Sequence, residues 1–92
     1  MKYEFKPSFD RSIKSLPLPD NEEFLRACLE FFDIMERRFP MASGIGLKRL
    51  RYDYWEIRIG IRNRILFRWN EGVIEFILAG SHDSIKRFLK NL

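Results

Sequence analysis

The 92-residue sequence contains one cysteine, one histidine, five glycines and four prolines, and these scarcities remove several kinds of chemistry at once. A lone cysteine cannot form an internal disulfide, and Cys28 lies in the apolar run 24–35, where a small buried hydrophobe is the expected reading. No electropositive niche surrounds it to make a reactive thiolate. Cys28 and His82 are far apart in the chain and show none of the usual ligand spacings, so no metal site is expected. The GIG at 44–46 lacks the remainder of a glycine-rich phosphate loop, so no nucleotide cofactor is expected either. The N-terminal MKYEFKPSFDR alternates charge and apolarity without the continuous apolar stretch of a signal peptide, and no run elsewhere is long enough to span a bilayer. These absences predict a protein of the reducing cytoplasm, away from membranes.

What remains is ample for folding. With 46% hydrophobic, 15% aromatic and 33% charged residues, the chain can bury a core and stay soluble, and its length predicts one domain over 1–92. Any site must then lie on the surface of a single small core. The net charge of +4 hides an asymmetry. Residues 1–36 carry five basic and eight acidic side chains, whereas 37–70 carry nine basic (Arg37, Arg38, Lys48, Arg49, Arg51, Arg58, Arg62, Arg64, Arg68) against Asp53 and Glu56, net +7. Arginine dominance of this kind suits phosphate, because a guanidinium fork pairs with two phosphate oxygens together; the alternative is a solvated sheet face.

Periodicity predicts an α+β fold: a short N-terminal strand, two helices packed on an antiparallel sheet of about four to five strands, and a C-terminal helix. KYEFK at 2–6 alternates as a strand, Pro7 opens a brief helix, and LPLP at 16–19 ends it. Phe24, Cys28, Phe31, Phe32, Met35 and Phe39 recur at helical spacing toward Pro40, with Asp20 and Glu23 at capping-box spacing. Leu25, Leu29 and Ile34 widen that apolar face, so the helix should pack on the sheet and on something else. After a loop at 41–46, strands are expected near 47–52, 54–60, 62–69 and 73–80, the last two joined by the turn at 70–72. Ser81 or Asp83 can cap a final helix.

Alternation in these strands sends Trp55, Ile57, Ile59, Ile65, Phe67 and Trp69 one way and Glu56, Arg58, Arg64 and Arg68 the other. The apolar set should pack on the helices. The polar set should share the exposed face, with cross-strand neighbours roughly 5 Å apart. His82 follows the apolar strand directly and should stand at the edge of that face. Metal-free cleavage of RNA needs a base for the 2′-hydroxyl, cations on the scissile phosphate and an acid for the leaving 5′-oxygen. Glu56, Arg58 with Arg64, and His82 supply those residue types.

The element order, together with WEIRIGIRNRILFRW and the following VIEFILAGSHDSIKRFLK, resembles the RelE/ParE toxin superfamily, the likeness residing mainly in the C-terminal half. By that resemblance Arg64 matches the family's characteristic phosphate-binding arginine, and Arg58 a basic position on the preceding strand. Glu56 and His82 match the glutamate and histidine of the YoeB-like version of the site. Phe88 falls where many ribosome-dependent members carry a tyrosine, and a phenylalanine there can stack on substrate but donates no proton. Lys48, Arg49, Arg51, Arg62, Arg68 and Lys86 are the expected RNA contacts, with Arg87 and Lys90 on the same rim, although all are also compatible with ordinary surface. The resemblance implies a type II toxin whose partners are a cognate antitoxin, the ribosome and messenger RNA, and which cuts codons without a cofactor. ParE-like members share the fold and inhibit DNA gyrase instead, so that activity and an inactive antitoxin-binding module stay open as alternatives.

Overall fold

The computed structural model describes residues 1–37 and 45–92. In chain order the elements are β1 (Lys2–Phe5), α1 (Pro7–Lys14), α2 (Leu18–Arg37), β2 (Ile45–Arg49), β3 (Tyr54–Ile59), β4 (Asn63–Asn70), β5 (Val73–Ser81) and α3 (His82–Lys90), which matches the expected α+β order. The strands form one sheet of order β1-β5-β4-β3-β2. Pairings β2–β3, β3–β4 and β4–β5 are antiparallel, while β1 runs parallel to β5, so the sheet is mixed rather than wholly antiparallel. The chain leaves β1 and returns to its neighbour only after two helices and three strands, so no tight turn dictates their relative direction.

Local chemistry explains most boundaries. Pro7 opens α1, where its missing N–H costs nothing, and Phe9 and Ile13 turn inward one helical turn apart. The second helix starts at Leu18, two residues before the expected Asp20 cap, because Pro19 is well tolerated in a first turn. Glu23 turns toward the sheet, and its Oε1 accepts from Asn63 Nδ2 at 2.9 Å. The expected helix residues Phe39 and Pro40, with Arg38 and positions 41–44 of the expected loop, lie outside the described residues; Ile45 and Gly46 belong to β2. That strand ends at Arg49 rather than 52, because the chain turns at 50–53. Leu50 N–H donates to the Tyr54 carbonyl at 2.9 Å, Tyr54 N–H to the Arg51 carbonyl at 3.0 Å, and Tyr52 takes a left-handed φ of 55°. The β4–β5 hairpin turns on Glu71 and Gly72, with φ of 50° and 78°, as a two-residue type I′ turn requires.

The main core lies between α1, α2 and one sheet face. Phe9, Phe24, Cys28, Phe31, Ile57, Ile65, Phe67, Ile74 and Phe76 are buried there, and Trp55 and Trp69 pack against them. Each fully buried large apolar side chain contributes about 1.5–3 kcal/mol relative to exposure. Burial pushes the Cys28 thiol up to about 12, in keeping with an inert hydrophobe. Leu18, Leu25 and Leu29 remain exposed on the outer side of α2. No helix among the described residues is long and apolar enough to cross a membrane.

A β-bulge creates a second core on the opposite sheet face. Phe67 pairs with Phe76 and Leu66 with Leu78, which leaves Ile77 as an extra residue without a ladder partner. Its carbonyl accepts from Ser8 Oγ at 2.6 Å, and the Ala79 N–H donates to Ser12 Oγ at 2.9 Å, so two α1 hydroxyls satisfy backbone groups beside the bulge. The bulge sends Ile77 to the far face, where it joins Leu66 and Ile85 of α3, with Leu50, Tyr54, Leu78, Phe88 and Leu89 around them.

Candidate active site

The face carrying the second core is also the one that sequence alternation assigns to Glu56, Arg58, Arg64 and Arg68, and the register puts all four there. Reading across the strands, Gly46 of β2 faces Arg58, Arg58 faces Arg64, and Arg64 faces Gly80. In the next row Lys48 faces Glu56 and Glu56 faces Leu66; Tyr54 faces Arg68 two residues further on. The expectation that this face is open needs correction. Leu66 seats Ile85 of α3, and the cover leaves Glu56 only 4% exposed and Arg64 5% exposed.

Within this buried margin Glu56 Oε2 stands 3.8 Å from Arg58 Nε and 3.9 Å from Arg64 Nε. Both distances are ion-pair contacts too long for hydrogen bonds, so the carboxylate is held by charge and keeps lone pairs uncommitted to these two partners. The terminal nitrogens of Arg64 serve the protein's own backbone. Nη1 donates to the carbonyl of Asn63 at 2.8 Å and, more weakly, to that of Gly60 at 3.5 Å, while Nη2 donates to Ile61 at 3.1 Å. Among the described residues, buried Arg64 Nε has no hydrogen-bond partner. Arg58, by contrast, has 52% of its side chain exposed and lies over Gly46, where an added Cβ would come within 3.7 Å of it.

The N-terminus of α3 closes this end of the face. Ser81 pairs with Asn63 and caps the helix, its Oγ accepting from the Ser84 N–H at 3.2 Å; the structure therefore selects Ser81 over Asp83 as cap. His82 is the next residue, exposed, at the same end of the sheet as Arg58 and Arg64. Gly80 permits the close approach of the helix, since a Cβ there would stand 3.1 Å from Ser84 Cβ.

The remaining expected contacts separate. Arg68 is engaged at the opposite end of the face, its Nε donating to Asp53 at 2.9 Å and its guanidinium lying 6.0 Å from the Tyr54 ring centre. Arg49 donates Nε and Nη2 to the Tyr52 carbonyl at 3.2 and 3.0 Å. Arg62 is exposed in the β3–β4 turn and Lys48 on β2. Arg51 and Lys86 line a depression beside α3. Phe88 is half-buried against the second core, in T-shaped contact with the Tyr54 ring at 6.2 Å, so its ring is engaged in packing in this conformation. Tyr54 shares the strand phase of Glu56 and Arg58 and packs on the same face between Arg68 and Phe88. Among the described residues no three His, Cys, Asp or Glu side chains gather as a metal-binding group.

This architecture recurs in solved structures. A chain of the RelB-RelE antitoxin-toxin complex from Methanococcus jannaschii matches with a TM-score of 0.66 over 92% of this chain and 96% of that one, at 20% identity. The fold is that of the RelE-like toxins. A metal-bound toxin from Helicobacter pylori matches this chain with a TM-score of 0.72 at 18% identity, over 92% and 98% of the two chains. A chain of the Escherichia coli DinJ-YafQ complex gives 0.68 at 10% identity, over 91% and 96%. At the level of sequence, no family model and no curated protein matches.

Proposed function

We propose that this chain is the toxin of a type II toxin–antitoxin pair and that it is a ribosome-dependent endoribonuclease acting on messenger RNA. The observation carrying this reading is the buried Glu56 carboxylate between two arginine Nε atoms, with exposed Arg58 above it and His82 at the same sheet end. Glu56 takes the proton of a 2′-hydroxyl, whose oxygen attacks phosphorus as the P–O5′ bond breaks. Arg58 meets the phosphate, and Arg64 adds charge from beneath through Nε. His82 returns a proton to the leaving 5′-oxygen. The products are a 2′,3′-cyclic phosphate and a 5′-hydroxyl, and each role falls to a side chain of this protein.

The RelE-like fold supports the toxin reading, and the antitoxin-bound neighbours support a protein partner. An acidic, amphipathic antitoxin segment suits both the basic sheet region and the exposed Leu18, Leu25 and Leu29 on α2. The cytoplasm follows as the compartment, since ribosomes and messenger RNA are there.

The test is to map RNA ends in a translating extract with and without ribosomes, using the native protein, Arg58→Ala and His82→Ala. Ribosome-dependent cuts inside codons, reduced at least a hundredfold in both variants while their melting curves match the native one, are the expected result. Intact RNA from a folded protein that still arrests growth would overturn the nuclease reading and direct attention to gyrase.

A further inference from the structure

The turn between β2 and β3 is tied down far more firmly than its four residues require. Arg49 clamps the Tyr52 carbonyl with two donors, Trp69 N–H donates to the Asp53 carbonyl at 2.9 Å, and the Asp53 carboxylate accepts from Arg68. The turn is also fixed to α3, because Arg51 Nη2 donates to the carbonyl of Leu89 in that helix's last turn. Yet these contacts hold Tyr52 at a φ of 55°, a left-handed conformation that costs a bulky residue on the order of 1 kcal/mol or more, with the side chain 72% exposed. Burial does not explain an aromatic ring so placed. It stands outward with the Arg51 guanidinium 5.5 Å from its centre.

Beside this turn the surface sinks into an open depression of about 750 Å³, lined by Arg51, Lys86, Arg87, Leu89 and Lys90, with Asp83 also on its wall. Lys86, Arg87 and Lys90 lie along one side of α3. Four cations against one carboxylate form a phosphate track, and an exposed aromatic ring next to it adds a stacking platform. That pairing is what single-stranded nucleic acid needs, since its phosphates follow the charge while an unpaired base lies on the ring. An acidic peptide would use the charges and leave Tyr52 without a role. Duplex RNA would likewise offer its phosphates but no free base face.

We propose that the groove between the Tyr52 turn and the basic side of α3 is a docking track for single-stranded RNA, with phosphates on Arg51, Lys86, Arg87 and Lys90 and one base stacked on Tyr52. The choice of RNA rests on the function proposed above; the groove's geometry does not. The helix rises about 12 Å between His82 and Lys90, so one strand can lie in the groove and reach the Glu56–Arg58 end. Arg49 then acts as the positioning residue of the platform, not as a phosphate contact.

Fluorescence anisotropy with a 2′-O-methylated RNA octamer, which lacks the 2′-hydroxyl, tests binding apart from cleavage. The variants are Tyr52→Asn, which suits the left-handed backbone and removes the ring, and the triple Lys86→Gln/Arg87→Gln/Lys90→Gln. The triple should weaken binding and flatten the dependence of log K on log salt by about 2, at roughly 0.7 per lost phosphate contact on a single strand. Tyr52→Asn should weaken single-strand binding about tenfold with the salt slope unchanged, and Tyr52→Trp should restore it, while a duplex of the same length is indifferent to both. Native affinity and slope in the triple overturn the track. Loss of single-strand and duplex binding to the same extent in Tyr52→Asn, or competition by polyglutamate that is identical in native and Tyr52→Asn proteins, overturns the platform. A chain that cuts codons but fails here keeps the nuclease and loses the groove; one that cuts nothing but passes keeps the groove.

Discussion

The guanidinium of Arg64 is turned inward, and its chemistry divides along the group. The terminal nitrogens hold the carbonyls of the β3–β4 turn, while Nε faces Glu56 with no closer partner. A lysine keeps the charge but cannot span carbonyls on both sides of the turn from one ammonium. Arg64→Lys should therefore lose about 1–3 kcal/mol of stability in urea denaturation with an unchanged m-value, by losing charge-assisted hydrogen bonds in a buried setting. A midpoint equal to the native one would show that the turn holds without this clasp. Strand alternation was enough to put Glu56, Arg58, Arg64 and Arg68 on one face, because that depends only on the two-residue period. The burial of Glu56 and Arg64 was not legible, since the cover on that face includes Ile85 of a helix that starts sixteen positions after Leu66. Tyr52 was equally hidden: its exposure and its left-handed φ come from the Arg49 clamp, which no local spacing announces.

Among the elements, α3 depends on a narrow tolerance at β5. Gly80 lies beneath the first turn of α3, and a methyl group there would meet Ser84 Cβ at 3.1 Å and its Oγ at 3.2 Å. Gly80→Ala should destabilise by about 1–3 kcal/mol, as overpacking does, and should lower activity more than the stability loss accounts for, because His82 moves with that turn. Combining it with Ser84→Gly removes the opposing atoms, so a double-mutant cycle in thermal unfolding should show favourable coupling. Additive effects would place the conflict elsewhere. Element type and order could be read from the sequence wherever a period ran for six residues or more. The misread ends fall at 50–53, a turn also fixed by distant partners Leu89, Trp69 and Arg68, and at Pro19, a proline inside a first turn; the parallel β1 edge is a pairing across some seventy positions of chain.

For the molecule as a whole, charge and cores are distributed on different principles. The main core, sealed by α1 and α2, is built largely from phenylalanine, isoleucine and tryptophan, whereas the second core is small and has the ionic cluster at its margin. The central strand β4 is buried on both faces through Arg64, Ile65, Leu66 and Phe67, which removes the solvent-facing alternation usual in an antiparallel strand. The edge strands β1 and β2 carry Lys2, Glu4, Lys48 and Arg49, charges that discourage edge-to-edge association.

The unpaired Ile77 gives this arrangement an arithmetic of its own. Removing that one position would leave every recorded pair of β4 with β5 intact, from Asn63 with Ser81 to Asn70 with Val73, and would convert the strand into an uninterrupted ladder. What would disappear is an anchoring side chain of the second core and the carbonyl held by Ser8. Deletion of Ile77 should thus spare hydrogen-exchange protection in β3 and β4 while α3 amides exchange at least tenfold faster; simultaneous collapse of both would mean that the two faces fold as one unit. One added position of chain thus supplies one of the three buried side chains on which the far side of the sheet is built.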